Sequence, residues 1–253
     1  MRAETLAHWM RQHLVSAGCR GFVVGLSGGV DSAVVLRLAQ LAAPNATLGA
    51  IMPCHSDPRD EHDAAVVAGH FSVPTVRIDL SDPYDGLIAT LQPAVQSLPE
   101  RVRNTAPADG FRERLPLANV KPRLRMTTLY FIANSLNYLV AGTGNRSELA
   151  IGYFTKHGDG AADLLPLARM MKSEVRALAR ELGVPREIAD RPASAGLWIG
   201  QTDEEEIGFT YDELERYLGE GPEGVSPALA MKIERVTRST EHKRQLSRVP
   251  DAE

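Results

Sequence analysis

The chain has 253 residues, 43% of them hydrophobic, and a formal net charge of -4. That length suits one domain, or one domain with a small appendage, and supplies a continuous core. The mild acidity excludes the basic face of a nucleic-acid binder and the polybasic run of a membrane-surface protein. The two cysteines, Cys19 and Cys54, lack the paired spacing of a disulfide framework or zinc ribbon and fit a reducing cytosol; no signal-peptide core and no membrane-length apolar run is visible.

In chain order, residues 4–16 pattern as an amphipathic helix with Leu6, Trp9, Met10, His13 and Leu14 on one face. A strand near 22–26 leads into a helix from 31 to about 42. Ala46–Met52 reads as a second strand, Glu61–Phe71 as a helix, Thr75–Leu80 as a third strand and 84–97 as a helix. A helical pattern over 121–136 precedes a strand at Asn137–Gly142, and Lys172–Leu182 is a helix closed by Gly183 and Pro185. Repeated strand–helix units predict an α/β fold: a doubly wound, mostly parallel sheet with helices on both faces, in a single domain. Residues 99–118 and 201–225 carry no steady period and read as mobile lids, binding segments or plain linkers.

The most informative segment is Leu26-Ser27-Gly28-Gly29-Val30-Asp31-Ser32. It sits between a strand and a helix. Glycines let a pyrophosphate approach the backbone. The helix start offers free N–H groups and a partial positive charge. A carboxylate beside polyphosphate requires a divalent cation between them, so Asp31 points to a magnesium nucleotide. The alternative is a strand-to-helix turn that uses Asp31 as a cap. The segment lacks the Gly-Lys-Ser/Thr ending of a Walker A loop. It resembles the pyrophosphate loop of the N-type ATP pyrophosphatases.

Gly142-Thr143-Gly144-Asn145-Arg146-Ser147-Glu148 follows the strand at 137–142, so both loops face one crevice at the carboxyl ends of the strands. Here Thr143 can bond the nucleotide and Glu148 can complete a metal site with Asp31; the alternative is a polar turn and a helix N-cap. Cys54, His55, Asp57, Asp60 and His62 match no common zinc spacing and read as a polar strand-end loop on the ligand side. Asp203–Glu206 reads as acidic charge on a helix N-terminus.

With these loops, the stretch from Gly152 to Asp163, Leu165-Pro166-Leu167, Met171–Val175, Asn119–Met126, Pro192–Trp198, Gly200–Glu204 and Glu241-His242-Lys243 resembles the NAD synthetase family. The resemblance implies a ligase in which the nicotinate carboxylate of deamido-NAD takes AMP from ATP and is then amidated. It implies that Gly25, Leu26, Ser27, Gly28, Gly29, Val30, Asp31 and Ser32 hold ATP with Thr143, Lys172 and Ser194. It implies Mg2+ on Asp31 and Glu148, catalytic roles for Asp31 and Lys172, and deamido-NAD on Arg123, Lys156, Asp163, His242 and Lys243. A cytoplasmic homodimer without nucleic-acid or membrane partners is expected by the same analogy. About twenty residues precede the first strand, too few for the amidase domain of glutamine-dependent members, so ammonia is the expected nitrogen source.

The chain departs from the family at Pro122, where a small residue is usual, and at Gly196, where an aspartate is usual. Other readings are another pyrophosphatase-group enzyme, such as the ATP-using half of a GMP synthetase or a tRNA-thiolating enzyme, and a nucleotide-binding regulator without turnover.

Overall fold

The computed structural model describes residues 3–102, 110–194, 196, 202–247 and 249. Four parallel strands form one sheet in the order β3-β2-β1-β4: β1 Gly21–Leu26, β2 Thr47–Ile51, β3 Thr75–Arg77 and β4 Tyr138–Val140. The central strand pairs on both sides, with Val24 beside Gly49 and Phe22 beside Leu139. A strand hydrogen-bonded on both edges and covered on both faces reads as a near-continuous apolar run, and Phe22-Val23-Val24 is fully buried.

Alternation along β1 divides the core. Phe22, Val24 and Leu26 pack with α1 (Ala3–Ser16), α2 (Val30–Ala42) and α7 (Lys172–Glu181), through residues such as Met10, Val34, Leu38 and Val175. Val23 packs on the opposite face with Ala50, Met52, Ile132, Ala133 and Val140, the last three from α5 (Gly110–Leu136) and β4. The sheet is therefore doubly wound, with helices on both faces, as the strand–helix alternation predicts. A smaller apolar cluster of Ile151, Phe209, Leu214 and Ile233 joins α6 (Arg146–Ile151), α10 (Tyr211–Glu220) and α11 (Pro227–Ser239). The remaining helices are α3 (Pro58–His70), α4 (Ser81–Gln96), α8 (Arg186–Ala189), α9 (Asp203–Ile207) and α12 (Glu241–Arg244).

Three expectations need correction. The helix expected over 121–136 begins at Gly110, so the described end of the 99–118 stretch is helical, with Pro116 and Pro122 inside it. Proline removes a ladder N–H and usually marks a boundary; here the helix continues through both, and Pro122 is not near its start. The described part of 201–225 is also ordered. It forms α9, then α10 with a Thr210–Glu213 capping box, then a 3-10 turn at Pro222–Gly224. The strands expected at 75–80 and 137–142 are shorter, ending at Arg77 and Val140. Ala195, Leu197-Trp198 and Gly200-Gln201 of the family motifs lie outside the described residues. No helix among the described residues is long and apolar enough to cross a membrane.

Candidate active site

The chain leaves β1 at Leu26 and must enter α2 within three residues. Gly28 turns it at φ +78, a left-handed conformation, and a Cβ there would come within 2.5 Å of the Asp60 carbonyl oxygen. The two serines brace the turn. Ser32 Oγ donates to the Gly29 carbonyl at 2.9 Å, the Ser27 N–H donates to Ser32 Oγ at 3.3 Å, and the Gly29 N–H donates to Ser27 Oγ at 3.3 Å. Gly29, the N-cap, brings no side chain to the helix start. The N-terminus of α2 thus opens on the cavity with its amide dipoles, a setting that favours phosphate oxygens.

The second loop carries a capping box. Asn145 accepts from the Glu148 N–H at 3.0 Å, and the Glu148 carboxylate accepts from the Asn145 N–H at 3.2 Å. Asn145 also donates through Nδ2 to Asp31 Oδ1 at 2.9 Å, which ties the two loops together. The cap and ligand readings of Glu148 are therefore compatible, since the other carboxylate oxygen faces inward.

Lys172 is the first residue of α7, where a cation opposes the helix dipole. Two carboxylates offset that cost. Its ammonium donates to Asp31 Oδ2 and, at 3.2 Å, to Glu148 Oε1. The three side chains are only 4%, 15% and 18% exposed. Burial pushes the Glu148 carboxyl up to about 7, against the pull of Lys172 and with the push of Asp31. Burial also opposes the charge on Lys172, but Asp31 and Glu148 overcome it and hold its pKa above the ordinary value. Behind the ammonium lies the Tyr211 ring, 5.3 Å from Nζ to centroid. Tyr211 Oη donates to Asp203 Oδ2 at 2.8 Å, and burial raises the Asp203 carboxyl.

These groups line one cavity of about 320 Å³ that runs from Gly25–Asp31 past Thr143, Glu148 and Lys172 to Ser194, Asp203, Tyr153 and Lys243. Every residue expected to hold ATP lies on this wall or in its turn. Ser194 accepts the Gly196 N–H at 3.1 Å. Gly196 has φ +61, and a Cβ there would lie 3.3 Å from Asp60 Oδ2. An aspartate at that position would be strained and would face a second carboxylate, which accounts for the glycine. Asp60 and Asp63 instead bind Arg191, at 2.6 and 2.7 Å, pinning the Ser194 segment to α3. His55 meets Asp85 at 2.8 Å and Asp57 caps α3, so those members of the strand-end group have structural partners.

The five residues expected to bind deamido-NAD divide. Lys243 reaches the cavity wall and donates to the Gly152 and Phe154 carbonyls, each at 2.9 Å. Lys156 lies outside the cavity lining and donates to the His242 and Gln245 carbonyls at 2.5 and 3.1 Å. Arg123 is exposed and donates to the Lys156 carbonyl at 3.3 Å. Asp163 accepts the Val140 N–H at 2.8 Å and the Tyr130 hydroxyl at 3.3 Å. Burial and Asp163 push that phenol up to about 12. His242 is exposed on α12. Sequence reasoning missed Tyr153, Arg191 and Tyr211, and it read Asp203 as a helix-terminus charge. Only the buried cluster around Lys172 distinguishes Asp203 from the glutamates beside it.

The NAD synthase family model matches residues 2–247. The chain is 48% identical over 251 residues to the NH(3)-dependent NAD(+) synthetase of Carboxydothermus hydrogenoformans, covering 98% of this chain and 96% of that one. It is 40% identical to the enzyme of the same name from Finegoldia magna, covering 97% and 93%. Among solved structures it is similar to the NMN synthetase of Francisella tularensis, with 35% identity, a TM-score of 0.88 and coverage of 99% and 97%. A family match across nearly the whole chain, joined to a glycine turn, a capping box and a lysine that meet at one sheet edge, makes this chain a member of the NAD synthase family.

Proposed function

We propose that this chain makes NAD from deamido-NAD, ATP and ammonia, releasing AMP and pyrophosphate. The observation that carries the reading is the Lys172 ammonium held between Asp31 and Glu148 at the mouth of the glycine turn. In this reading the α2 amides and the Ser27–Ser32 turn hold the triphosphate, Thr143 and Ser194 contact ATP, and the nicotinate carboxylate oxygen attacks the α-phosphorus. The bond to pyrophosphate breaks, and Lys172 offsets the charge gathering on it. Ammonia then attacks the acyl carbon and AMP leaves with the bonding pair. The work is positioning and charge neutralisation.

Asp31 and Glu148 fit a divalent cation because they already converge on one positive charge, and magnesium favours one or two carboxylates plus phosphate oxygens and water. Bound there, Mg2+ would supply charge neutralisation on the phosphates. Deamido-NAD carries a pyrophosphate and a carboxylate, and Arg123, Lys156, His242 and Lys243 are its counter-charges and hydrogen-bond donors, with Asp163 as an acceptor. Four of these five lie away from the cavity lining, so the dinucleotide extends from the cavity across the α5–α12 surface.

That surface also supports a homodimer. Helix α4 buries none of its residues, and Leu87, Leu91 and Val95, four apart, are 38%, 43% and 58% exposed; Phe131 on α5 is 72% exposed. Free Cys19 and Cys54 fit a cytosolic setting. The whole chain forms one functional domain, with free ammonia as nitrogen source, because its ammonia-using relatives are matched over 93–96% of their own length. A second reading, amidation of the mononucleotide acid, is favoured by the similarity to the Francisella NMN synthetase.

The test is AMP release with ATP, magnesium and ammonium, offering deamido-NAD or nicotinate mononucleotide as the acid, with glutamine exchanged for ammonium in parallel. Turnover of deamido-NAD with ammonium supports the first reading. Preference for the mononucleotide selects the second, use of glutamine alone overturns the ammonia assignment, and saturable ATP binding without AMP release selects the regulator.

A further inference from the structure

Arg125 on α5 lines the cavity beside the carboxyl end of β2 and is half-buried. Its Nε donates to the Met52 carbonyl at 3.1 Å and its Nη2 to Ser56 Oγ at 3.0 Å. The guanidinium fork has further N–H groups. Both on Nη1 and the second on Nη2 have no partner, and no carboxylate pairs with the charge, among the described residues. Burial works against that charge, with only Cys54, Asp159 and Asp60 to offset it from a distance. A cation drawn partly out of water without a counter-charge calls for an anion. The other cations of the cavity wall are engaged: Lys172 by Asp31 and Glu148, Arg191 by Asp60 and Asp63, and Lys243 by two carbonyls.

The surroundings of Arg125 are apolar. Pro122, Met126 and Leu129 line the cavity from the same helix. Leu129 and Met52 close over Gly25, where a Cβ would lie 3.3 Å from Leu129 Cδ1 and 3.4 Å from Met52 Cε. An apolar wall around one unpaired cation fits a flat ring that carries a carboxylate. In the reaction proposed above the reacting end of the acid substrate enters this cavity, yet of its expected partners only Lys243 is on the lining, and carbonyls already hold it. We propose that Arg125 binds the carboxylate to be activated and selects the acid over its amide; this inference rests on that reading. The phosphates have a separate seat at the start of α2, which packs on the opposite face of the sheet from α5. A carboxylate can accept the free N–H groups in plane and keep lone pairs for attack. When one oxygen bonds the α-phosphorus and pyrophosphate leaves with the bonding pair, the other stays on Arg125 as the acyl carbonyl oxygen. Ammonia adding to the carbon pushes the π pair onto that oxygen. The guanidinium stabilises it until AMP leaves and the nitrogen gives its surplus proton to water.

Two variants test this, Arg125→Gln and Arg125→Lys. Ser56→Ala is the control, since it loosens the loop after β2 and leaves the guanidinium in place. Binding of deamido-NAD and of NAD is measured by calorimetry without ATP, and the KM for ATP is read from turnover. NAD carries an uncharged amide where deamido-NAD has the carboxylate. In Arg125→Gln the Kd of deamido-NAD should rise about tenfold to 100-fold, while that of NAD changes far less. Arg125→Lys keeps the charge without the planar fork and should show a smaller loss. Ser56→Ala should keep the parent's ratio of the two affinities. An unchanged ratio in both arginine variants overturns the proposal. So does equal weakening of both dinucleotides, which makes Arg125 a support for the end of β2. A rise confined to the KM for ATP also overturns it and puts a phosphate on Arg125. A parent enzyme that does not turn over deamido-NAD overturns the function proposed above, so the two failures are distinguishable.

Discussion

Replacing Asp31 with asparagine separates the chemical role of this carboxylate from its structural one. The substitution keeps the shape, and the amide oxygen of the new side chain can still accept the Asn145 Nδ2–H bond that joins the two loops, 2.9 Å long in the parent. One of the two charge-assisted bonds to Lys172 is lost, a contribution of about 1.5–3 kcal/mol. Glu148, 3.2 Å away, still compensates the ammonium, so the full penalty of a stranded buried charge does not apply. Unfolding in urea should therefore show a loss of about 1–3 kcal/mol with the fold retained. Adenylation should suffer more. Removing one group that stabilises developing charge costs about 100- to 1,000-fold in rate, and Asp31 is proposed to hold the cation that neutralises the phosphates. ATP–pyrophosphate exchange, titrated with magnesium, measures it. Combining the change with Glu148→Gln gives a coupling energy, because two groups that share one ion are not additive. Exchange by Asp31→Asn within about threefold of the parent at limiting magnesium would refute the reasoning, since a rate defect of about 1.4 kcal/mol is already tenfold.

Gly28→Ala should weaken ATP binding and lower stability, because a left-handed alanine costs about 1–2 kcal/mol and its Cβ would meet the Asp60 carbonyl at 2.5 Å; parent-like ATP affinity by calorimetry speaks against a backbone cradle at this turn. Leu91→Asp, in the exposed apolar stripe of α4, should convert a dimer to a monomer in sedimentation while leaving the helix content intact. An unchanged sedimentation coefficient removes α4 from the interface.

The sheet and its helices were legible because their signals are local. Three apolar residues in a row at Phe22–Val24, a glycine turn and a helical stripe identify a buried parallel strand and its crossover without knowledge of the partner strands. The meeting of Asp31 with Glu148 followed from topology, since both loops leave the same sheet edge. Helix α5 was misread where Pro116 and Pro122 imitate a boundary, and α10 was misread because the glycine cluster outweighed the Thr210–Glu213 box, whereas the acidic run Asp203–Glu206 did mark the first turn of α9. The contacts of Lys156 and Lys243 with backbone carbonyls had no sequence signal at all: a carbonyl acceptor is present at every residue, and only the folded path decides which ones converge. Asp203 and Arg191 were obscure for a related reason. Their roles depend on partners distant in sequence, Tyr211 and Lys172 in one case and Asp60 and Asp63 in the other.

Lys172 has a further consequence for how the site is loaded. Its ammonium lies between the two carboxylates proposed to hold magnesium, so lysine and metal compete for the same negative charge. In the proposed reaction ATP offers the lysine a second seat on the phosphates, which would relieve the competition; magnesium should then bind more tightly with ATP than without it, and the coupling is reciprocal. Lys172→Met removes the competitor. It also leaves Asp31 and Glu148 facing each other unpaired, which costs about 3–5 kcal/mol unless a cation returns. Two signs follow. The variant should melt below the parent in the presence of a chelator, and magnesium alone should raise its melting temperature more than it raises that of the parent, in line with the free energy of ligand binding to the folded state. Melting curves with magnesium but no nucleotide decide the matter: if magnesium stabilises Lys172→Met no more than it stabilises the parent, the lysine and the metal do not share a seat, and the two carboxylates serve the lysine alone.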